Sequence, residues 1–450
     1  MERYAIGLDI GTTGISAVLI DADSGRLCRT VSETNGSFIE SEHPWEFIQD
    51  TEIIARKTLA IIEDLTSSVS GVCAIGVTGQ MHGILYLNGD GRAISPLYTW
   101  QDQRAENKLP SGKTACEEIR EITGYTVHAG YGLATHYANL KLGLVPEGAV
   151  SFCTIHDYIV MLLTGRKTPL THTSDAASLG IYNLKHHRFD IQAVESLGIS
   201  PSMLPEVTSE EMTAGYFNGI PVSCAIGDNQ AAFLGSVADM ERGMIINIGT
   251  GSQLSYVTDY CEDRGECELR PLAGGKYIMA GSALCGGRAY AIMERFIRAL
   301  SAESCQESSA YALMEKLARE APPDCGGIAV DTRFAGSRSN PSVRGSVSGI
   351  DTANFTPGNL IRATLCGMVD ELHAYAKDKI GAAFLVGSGN AIRRNVLLAE
   401  IIEERFGCRL MIPKNTEEAS LGTALFGMVA GGICASFDDC AKFIDYPRED

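Results

Sequence analysis

Asp9 stands two residues ahead of a turn in the run Ile6-Gly7-Leu8-Asp9-Ile10-Gly11-Thr12-Thr13-Gly14-Ile15. The apolar residues on either side read as the two strands of a hairpin. Gly11 and Gly14 let the backbone approach a ligand, and Thr12 and Thr13 add hydroxyls and N–H donors. This chemistry suits a magnesium-bound polyphosphate: the donors cradle phosphate oxygens, and the carboxylate orients the cation or its waters. A plain hairpin with a surface Asp would carry the same residues. A second copy argues against that: Asn247-Ile248-Gly249-Thr250-Gly251-Ser252 repeats the pattern, and the same 238 residues separate Asn247 from Asp9 and Asp259 from Asp21. That interval is about half of the 450 residues, so the chain reads as a duplicated domain. Two such hairpins facing each other would clamp a nucleotide in a cleft between the halves.

Three further groups of residues carry chemistry. The strand Val72–Val77 runs into Thr78-Gly79-Gln80-Met81-His82-Gly83, where α/β folds bind ligands. His82 reads equally as a ligand contact or as a structural histidine. Trp100, one of two tryptophans, opens Trp100-Gln101-Asp102-Gln103-Arg104. Its ring could stack on a sugar while Asp102 and Arg104 grip hydroxyls; taken alone, the run reads as a Trp plug with an ion pair. Gly227-Asp228-Asn229-Gln230 follows the apolar strand 221–226, and an Asp there is most commonly a helix N-cap. In the second half, Gly387-Ser388-Gly389-Asn390 follows the strand Ala383–Val386 as the counterpart of Val77–Gln80, and Gly286 and Gly287 permit close backbone approach.

The elements that would position these groups are a third strand, Arg26–Ser32, and helices from Pro44 to Asp64, to about Leu300, from Asn359 to Ile380, from Arg393, and from Glu417. A boundary at Asp239–Arg242 divides the chain into domains 1–240 and 241–450. The net charge of −18 disfavours nucleic acid and anionic membrane as partners. No apolar run approaches the ~20 residues of a membrane helix. The 14 cysteines include no Cys-x-x-Cys; Cys261 with Cys267, and Cys434 with Cys440, are too widely spaced for a usual zinc knuckle. With no export signal in view, these thiols read as reduced, and the chain as cytoplasmic. Gly-x-x-x-x-Gly-Lys-Ser/Thr, His-Glu-x-x-His and Gly-x-Ser-x-Gly are all absent.

In order along the chain, Leu8–Thr13, Gly79–Gly83 and Trp100–Arg104 resemble the FGGY carbohydrate kinase family. Thr154-Ile155-His156-Asp157-Tyr158 and Ser174-Asp175-Ala176-Ala177-Ser178 continue the match, and these runs look most like the sedoheptulokinase branch. The resemblance implies two ribonuclease-H-like α/β domains of the actin-like ATPase superfamily around a central cleft. It implies an ATP-dependent phosphotransferase acting on the terminal primary hydroxyl of a ketose, with xylulose or other pentulose and polyol kinases as the alternative. The first domain would hold sugar through Gln80, Met81, His82, Trp100, Asp102, Arg104, His156, Asp175, Asn229 and Gln230. The second would hold most of the nucleotide, with Gly11, Thr12 and Thr13 joined by Gly249, Thr250, Gly251, Gly286, Gly287, Gly387, Ser388, Gly389 and Asn390. Asp228 would be the catalytic base and Asp9 the magnesium residue. Partners would be small molecules, and a homodimer stays open. Two segments depart from the family pattern: Gly336-Ser337-Arg338, where relatives often carry Gly-Glu-Arg, and Thr135–Leu140. An actin-like, ATP-gated binding protein is the rival of another class, and it leaves the sugar-side residues unexplained.

Overall fold

The computed structural model describes residues 2–260, 266–301, 309–337, 340, 342–376, 379 and 383–447. Cys261, Arg338 and Ile380 lie outside the described residues. Two compact units emerge: residues 1–238, 270–277 and 415–444 form the first, and 239–269, 278–414 and 445–450 the second. A single cut near 240 therefore does not separate them, because two later segments pack with the first unit.

The first unit is built on a seven-stranded sheet. β1 (Tyr4–Ile10) and β2 (Gly14–Asp21) form the hairpin, and β3 (Leu27–Thr34) pairs antiparallel with β2 as the exposed edge. After α1 (Thr51–Ser68), β4 (Val72–Gly79) joins β1 in parallel. α2 (Ile155–Thr164) and the short α3 (Thr173–Ala176) precede β5 (Thr213–Phe217) and β6 (Ile220–Ser223). β7 (Ile226–Gly227) pairs with β4 in parallel and leads into α4 (Asp228–Ser236). α1 begins seven residues later than the Pro44 start read from sequence, because the short strand Ile48–Gln49, paired antiparallel with Phe38–Ile39, occupies that stretch. The Asp50 side chain then caps α1 by accepting from the N–H groups of Glu52 and Ile53.

A closing helix, Glu418–Ala430, packs against β1, β4 and α4. Contact is backbone to backbone. A Cβ on Gly7 would lie 1.8 Å from the Ser420 carbonyl oxygen, one on Gly76 1.7 Å from that of Thr423, and one on Gly422 1.7 Å from that of Ala231. Small residues are thus required on both faces of this junction.

The second unit repeats the plan. β8 (Gly243–Ile248) and β9 (Ser252–Thr258) form its hairpin; β10 (Cys267–Pro271) and β11 (Tyr277–Ala283) extend the sheet beyond β9, although their ends at 270–271 and 277 group with the first unit. After α5 (Gly286–Ser301) and α6 (Pro357–Tyr375), β12 (Phe384–Ser388) pairs with β8 in parallel. α7 (Asn390–Arg394) follows, and β13 (Leu410–Met411) ends the sheet. The duplication extends to register: Asp9 faces Thr78 across β1–β4, and Asn247 faces Ser388 across β8–β12. Among the described residues no helix is long and apolar enough to cross a membrane.

Candidate functional site

Asp9 and Asp228 come together because three parallel strands end side by side. Asp9 is in register with Thr78, and Thr78 with Ile226. Neighbouring strands lie about 4.8 Å apart, so Asp9 is two strand spacings from Ile226. The Thr78 hydroxyl donates to the Ile226 carbonyl at 2.7 Å and fastens β7 there. Asp228 is the first residue of α4, whose N-cap is Gly227 and has no side-chain cap bond. The N-cap role open to Asp228 from sequence is therefore taken by its neighbour.

Electrostatics distinguish these two carboxyls. Burial, reinforced by Asp228 and Glu417, pushes Asp9 up to about 7, against the pull of His156. Burial lifts Asp228 to about 6, while His156, the Asn229 N–H and Arg270 pull it down. At neutral pH Asp228 is thus a carboxylate of raised basicity, suited to accepting a proton. Asp9 Oδ1 is out of water contact and has no hydrogen-bond partner.

The turn of the first hairpin is held from several sides. The Gln49 side chain donates to the Thr12 carbonyl at 2.8 Å, and that of Asn35 to the Gly11 carbonyl at 2.8 Å. The Thr12 hydroxyl accepts from the Trp100 indole at 2.9 Å and donates to Gln80 Oε1 at 3.2 Å. Gln80 in turn donates to Gln49 at 2.8 Å. Trp100 remains 45% exposed, so its ring is available to a ligand while its N–H ties it to the turn. Thr13 is exposed.

Several residues expected on the sugar side are buried and hydrogen-bonded, although His156 Nδ1 and Gln230 Oε1 have no hydrogen-bond partner. Arg104 forms a two-pronged pair with Asp102, at 2.7 and 3.0 Å, and also donates to Asn139 and Glu46. It lies 4.1 Å over the Tyr98 ring. His156 pairs with Asp175 at 2.6 Å, both fully buried. Burial opposes charge on His156, yet Asp175, Asp157 and Asp228 lift it to about 9. Gln230 donates to the carbonyls of Ser174 and Pro271. Met81 is buried against Gly227.

His82, Trp100 and Asn229 are the expected sugar-side residues that retain exposed surface. His82 adopts φ 74°, unusual for a non-glycine residue. Its N–H donates to the Ser178 hydroxyl, and its Nδ1 donates to the Ser178 carbonyl at 2.8 Å. The ring stacks on Tyr131, with centroids 4.5 Å apart. Tyr131 was missed by sequence reasoning; a lone aromatic before a helix gives no signal. Arg270, whose guanidinium approaches Asn229 Oδ1 at 3.4 Å, is a single arginine on a strand, 41 positions from its partner, and likewise gives no signal in sequence.

In the second unit the N–H groups of Gly287 and Arg288, at the start of α5, donate to the Gly249 and Thr250 carbonyls of the hairpin turn. Any side chain at Gly286 would collide with Gly251, and one at Gly389, where φ is 88°, with Ile248. Ser388 Oγ lies 3.4 Å from the Asn247 amide, which donates to it. Beside this junction is a cavity of about 450 Å³, lined in part by Gly287, Tyr290, Tyr311, Leu365, Met368 and Asn390. Gly387 sits within β12 behind it. Tyr290 and Tyr311 stack at 5.6 Å; neither stood out in the sequence.

A hairpin-plus-parallel-strand unit used twice, with two buried carboxyls of raised pKa at the first copy and a cavity of about 450 Å³ beside the second, is the plan of a phosphotransferase of the duplicated actin-like ATPase class. The N-terminal domain model of the FGGY family of carbohydrate kinases matches residues 4–235, and the C-terminal domain model 244–431. The chain belongs to that family. It is 27% identical over 478 aligned residues to a sedoheptulokinase of Homo sapiens, covering 93% of this chain and 96% of the relative. A ligand-bound xylulose kinase from Lactobacillus acidophilus superposes with a TM-score of 0.83 at 20% identity, covering 99% of this chain and 93% of that one. A Plasmodium falciparum glycerol kinase with ADP gives 0.79 at 17% identity, with coverage of 98% and 92%. The chain is accordingly a carbohydrate kinase.

Proposed function

We propose that the protein transfers the γ-phosphoryl group of ATP to the terminal primary hydroxyl of a ketose of the sedoheptulose type. The observation that carries this is Asp228: a carboxylate of raised basicity at the start of α4, just past a strand two spacings from Asp9. Asp228 accepts the hydroxyl proton as the sugar oxygen attacks phosphorus. In this reading the backbone N–H groups at Gly11–Thr13, and those of Thr250 and Gly251, bind phosphate oxygens, while the Gly249 N–H donates to the Gly251 carbonyl and closes the turn. His82, Trp100 and Asn229 orient the sugar, with Tyr131 and Arg270 beside them, and catalysis is largely positioning. Support for the nucleotide comes from the ADP bound to the Plasmodium falciparum relative, and the cavity lined by Tyr290 and Tyr311 is the adenine site in this reading.

Magnesium fits the chain's donors. Asp9 offers a buried oxygen with no hydrogen-bond donor on it, which is where a cation belongs. Among the described residues no group of three or more His, Cys, Asp or Glu is arranged to hold a metal. That agrees with an ion held by one carboxylate plus phosphates and waters. When bound, magnesium would neutralise charge on the phosphates.

The seven-carbon preference takes its support from the runs Thr99–Arg104, Thr154–Tyr158 and Ser174–Ser178 and from the human relative. Asp102, Arg104, His156 and Asp175 act in this reading from behind the site, by fixing the loops that bear Trp100 and Ser178. The test compares kcat/KM for sedoheptulose, xylulose, ribulose, fructose and glycerol at fixed ATP. Sedoheptulose should lead; a clear preference for xylulose or glycerol overturns the sugar and leaves the kinase. ADP release that no sugar stimulates would favour the binding-protein alternative.

A further inference from the structure

Cys325 and Cys366 lie with their sulfurs 3.8 Å apart in the second unit. Cys325 occupies the single 3-10 turn Cys325–Gly327, is buried, and has φ 55°. Cys366 is half-buried on α6. Ile328, Val330, Ala363, Leu360 and Phe334 pack around the two. We propose that Cys325 and Cys366 form a dithiol modification site, which a hydroperoxide converts to a disulfide, and that the bond weakens nucleotide binding in the adjoining cavity.

The geometry favours the bond. A disulfide needs sulfurs about 2.05 Å apart, so closure demands a shift of about 1.7 Å shared between a short turn and a helix. The two thiols also differ in character. Cys325 is pushed up by the hydrogen bond to Cys366 and by burial. Cys366 is held down by that same bond, helped by Arg362 and Arg405. Cys366 is half-buried while Cys325 is buried, so Cys366 is the thiol that a small oxidant reaches first and the nucleophile of the pair. Its thiolate attacks one peroxide oxygen, the O–O bond breaks, and hydroxide leaves Cys366 as a sulfenic acid. Cys325 sulfur then attacks that sulfur; its proton and the departing hydroxyl form water. The two thiols are oxidised by two electrons and the peroxide is reduced by two.

The consequence follows from position on α6. Leu365, the preceding residue, and Met368, two residues further on, both line the 450 Å³ cavity. Drawing α6 toward the Cys325 turn shifts that wall. This part rests on the nucleotide reading given above.

The experiment treats the full-length protein with hydrogen peroxide and maps peptides by mass spectrometry, with ADP affinity measured calorimetrically before and after. The expected result is a 325–366 cross-link, reversed by dithiothreitol, with ADP affinity reduced about fivefold or more, the lower end of ordinary coupling between sites. Cys366→Ser should neither cross-link nor lose affinity. Cys325→Ser should stop at a sulfenic acid that dimedone traps. Peroxide that leaves both thiols free, or takes Cys366 to sulfinic acid without a cross-link, overturns the site. A cross-link with unchanged ADP affinity overturns the coupling. Failure of the reduced protein to bind ADP refutes the nucleotide reading instead, and the cross-link measurement does not depend on it.

Discussion

Replacing Asp228 by Asn should remove activity and add stability in the same variant. The Asp228 carboxyl rises from 3.8 to about 6 in the folded protein, chiefly through burial. At 1.36 kcal/mol per pH unit, that difference corresponds to about 3 kcal/mol. The sign follows from linkage: the folded state holds the proton more tightly than the unfolded state does, so ionisation opposes folding. The penalty is absent below pH 3.8, grows between 3.8 and 6, and is complete above 6. Asparagine mimics the neutral acid and escapes it. Because Asp228 keeps some contact with solvent, the gain is discounted to about 1–3 kcal/mol at pH 8, or roughly 1–2 °C for each kcal/mol at this size. Turnover should fall by about 10²-fold or more as the base is lost. Urea unfolding at pH 4.5 and 8, alongside a coupled ADP assay, measures both. A variant less stable than wild type at pH 8, or equally stabilised at both pH values, refutes the electrostatic argument. Near-normal turnover refutes the base.

Asp9→Ala should lose turnover in the coupled assay at every magnesium concentration, with sugar affinity by calorimetry changed less. His156→Gln should move the acid limb of the kcat/KM profile upward from about pH 6, because His156 draws Asp228 down. It should also cost about 3–5 kcal/mol in urea unfolding by leaving Asp175 buried without its cation. Arg104→Ala should destabilise by a similar ~3–5 kcal/mol, since Asp102 is completely buried, and the loss should be readable by urea unfolding without any substrate present.

The parts of the molecule legible in the sequence are those fixed locally. A Gly-Thr turn between apolar runs declares a hairpin wherever it stands, and its second copy exposed the duplication, including the pairing of Val77–Gln80 with Gly387–Asn390. Burial is not local. Asp102 and Arg104 stand two residues apart, a spacing equally compatible with a pair that grips a ligand and one that supports a loop. Only the surroundings, Asn139 and Glu46 from distant segments, show that both are enclosed. Tyr131 stands 49 positions after His82 and reaches it through tertiary packing, for which no spacing rule exists. The start of α1 differs from the sequence reading because Ile48 and Gln49, which fit a helical pattern equally well, pair instead with Phe38–Ile39 from a preceding segment.

The closing helix has a consequence for how the protein is made. Its contacts with Gly7, Gly76 and α4 complete the first sheet, yet it is synthesised only after residues 239–269 and 278–414 of the second unit. The first half of the nascent chain must therefore wait, with an uncovered glycine-lined groove over β1 and β4, while the whole second unit is synthesised. The two halves are then not independent folding modules in time. Truncations that stop near residue 240 should give aggregated first units. A circular permutant that moves 415–444 ahead of residue 1 would let that unit finish early.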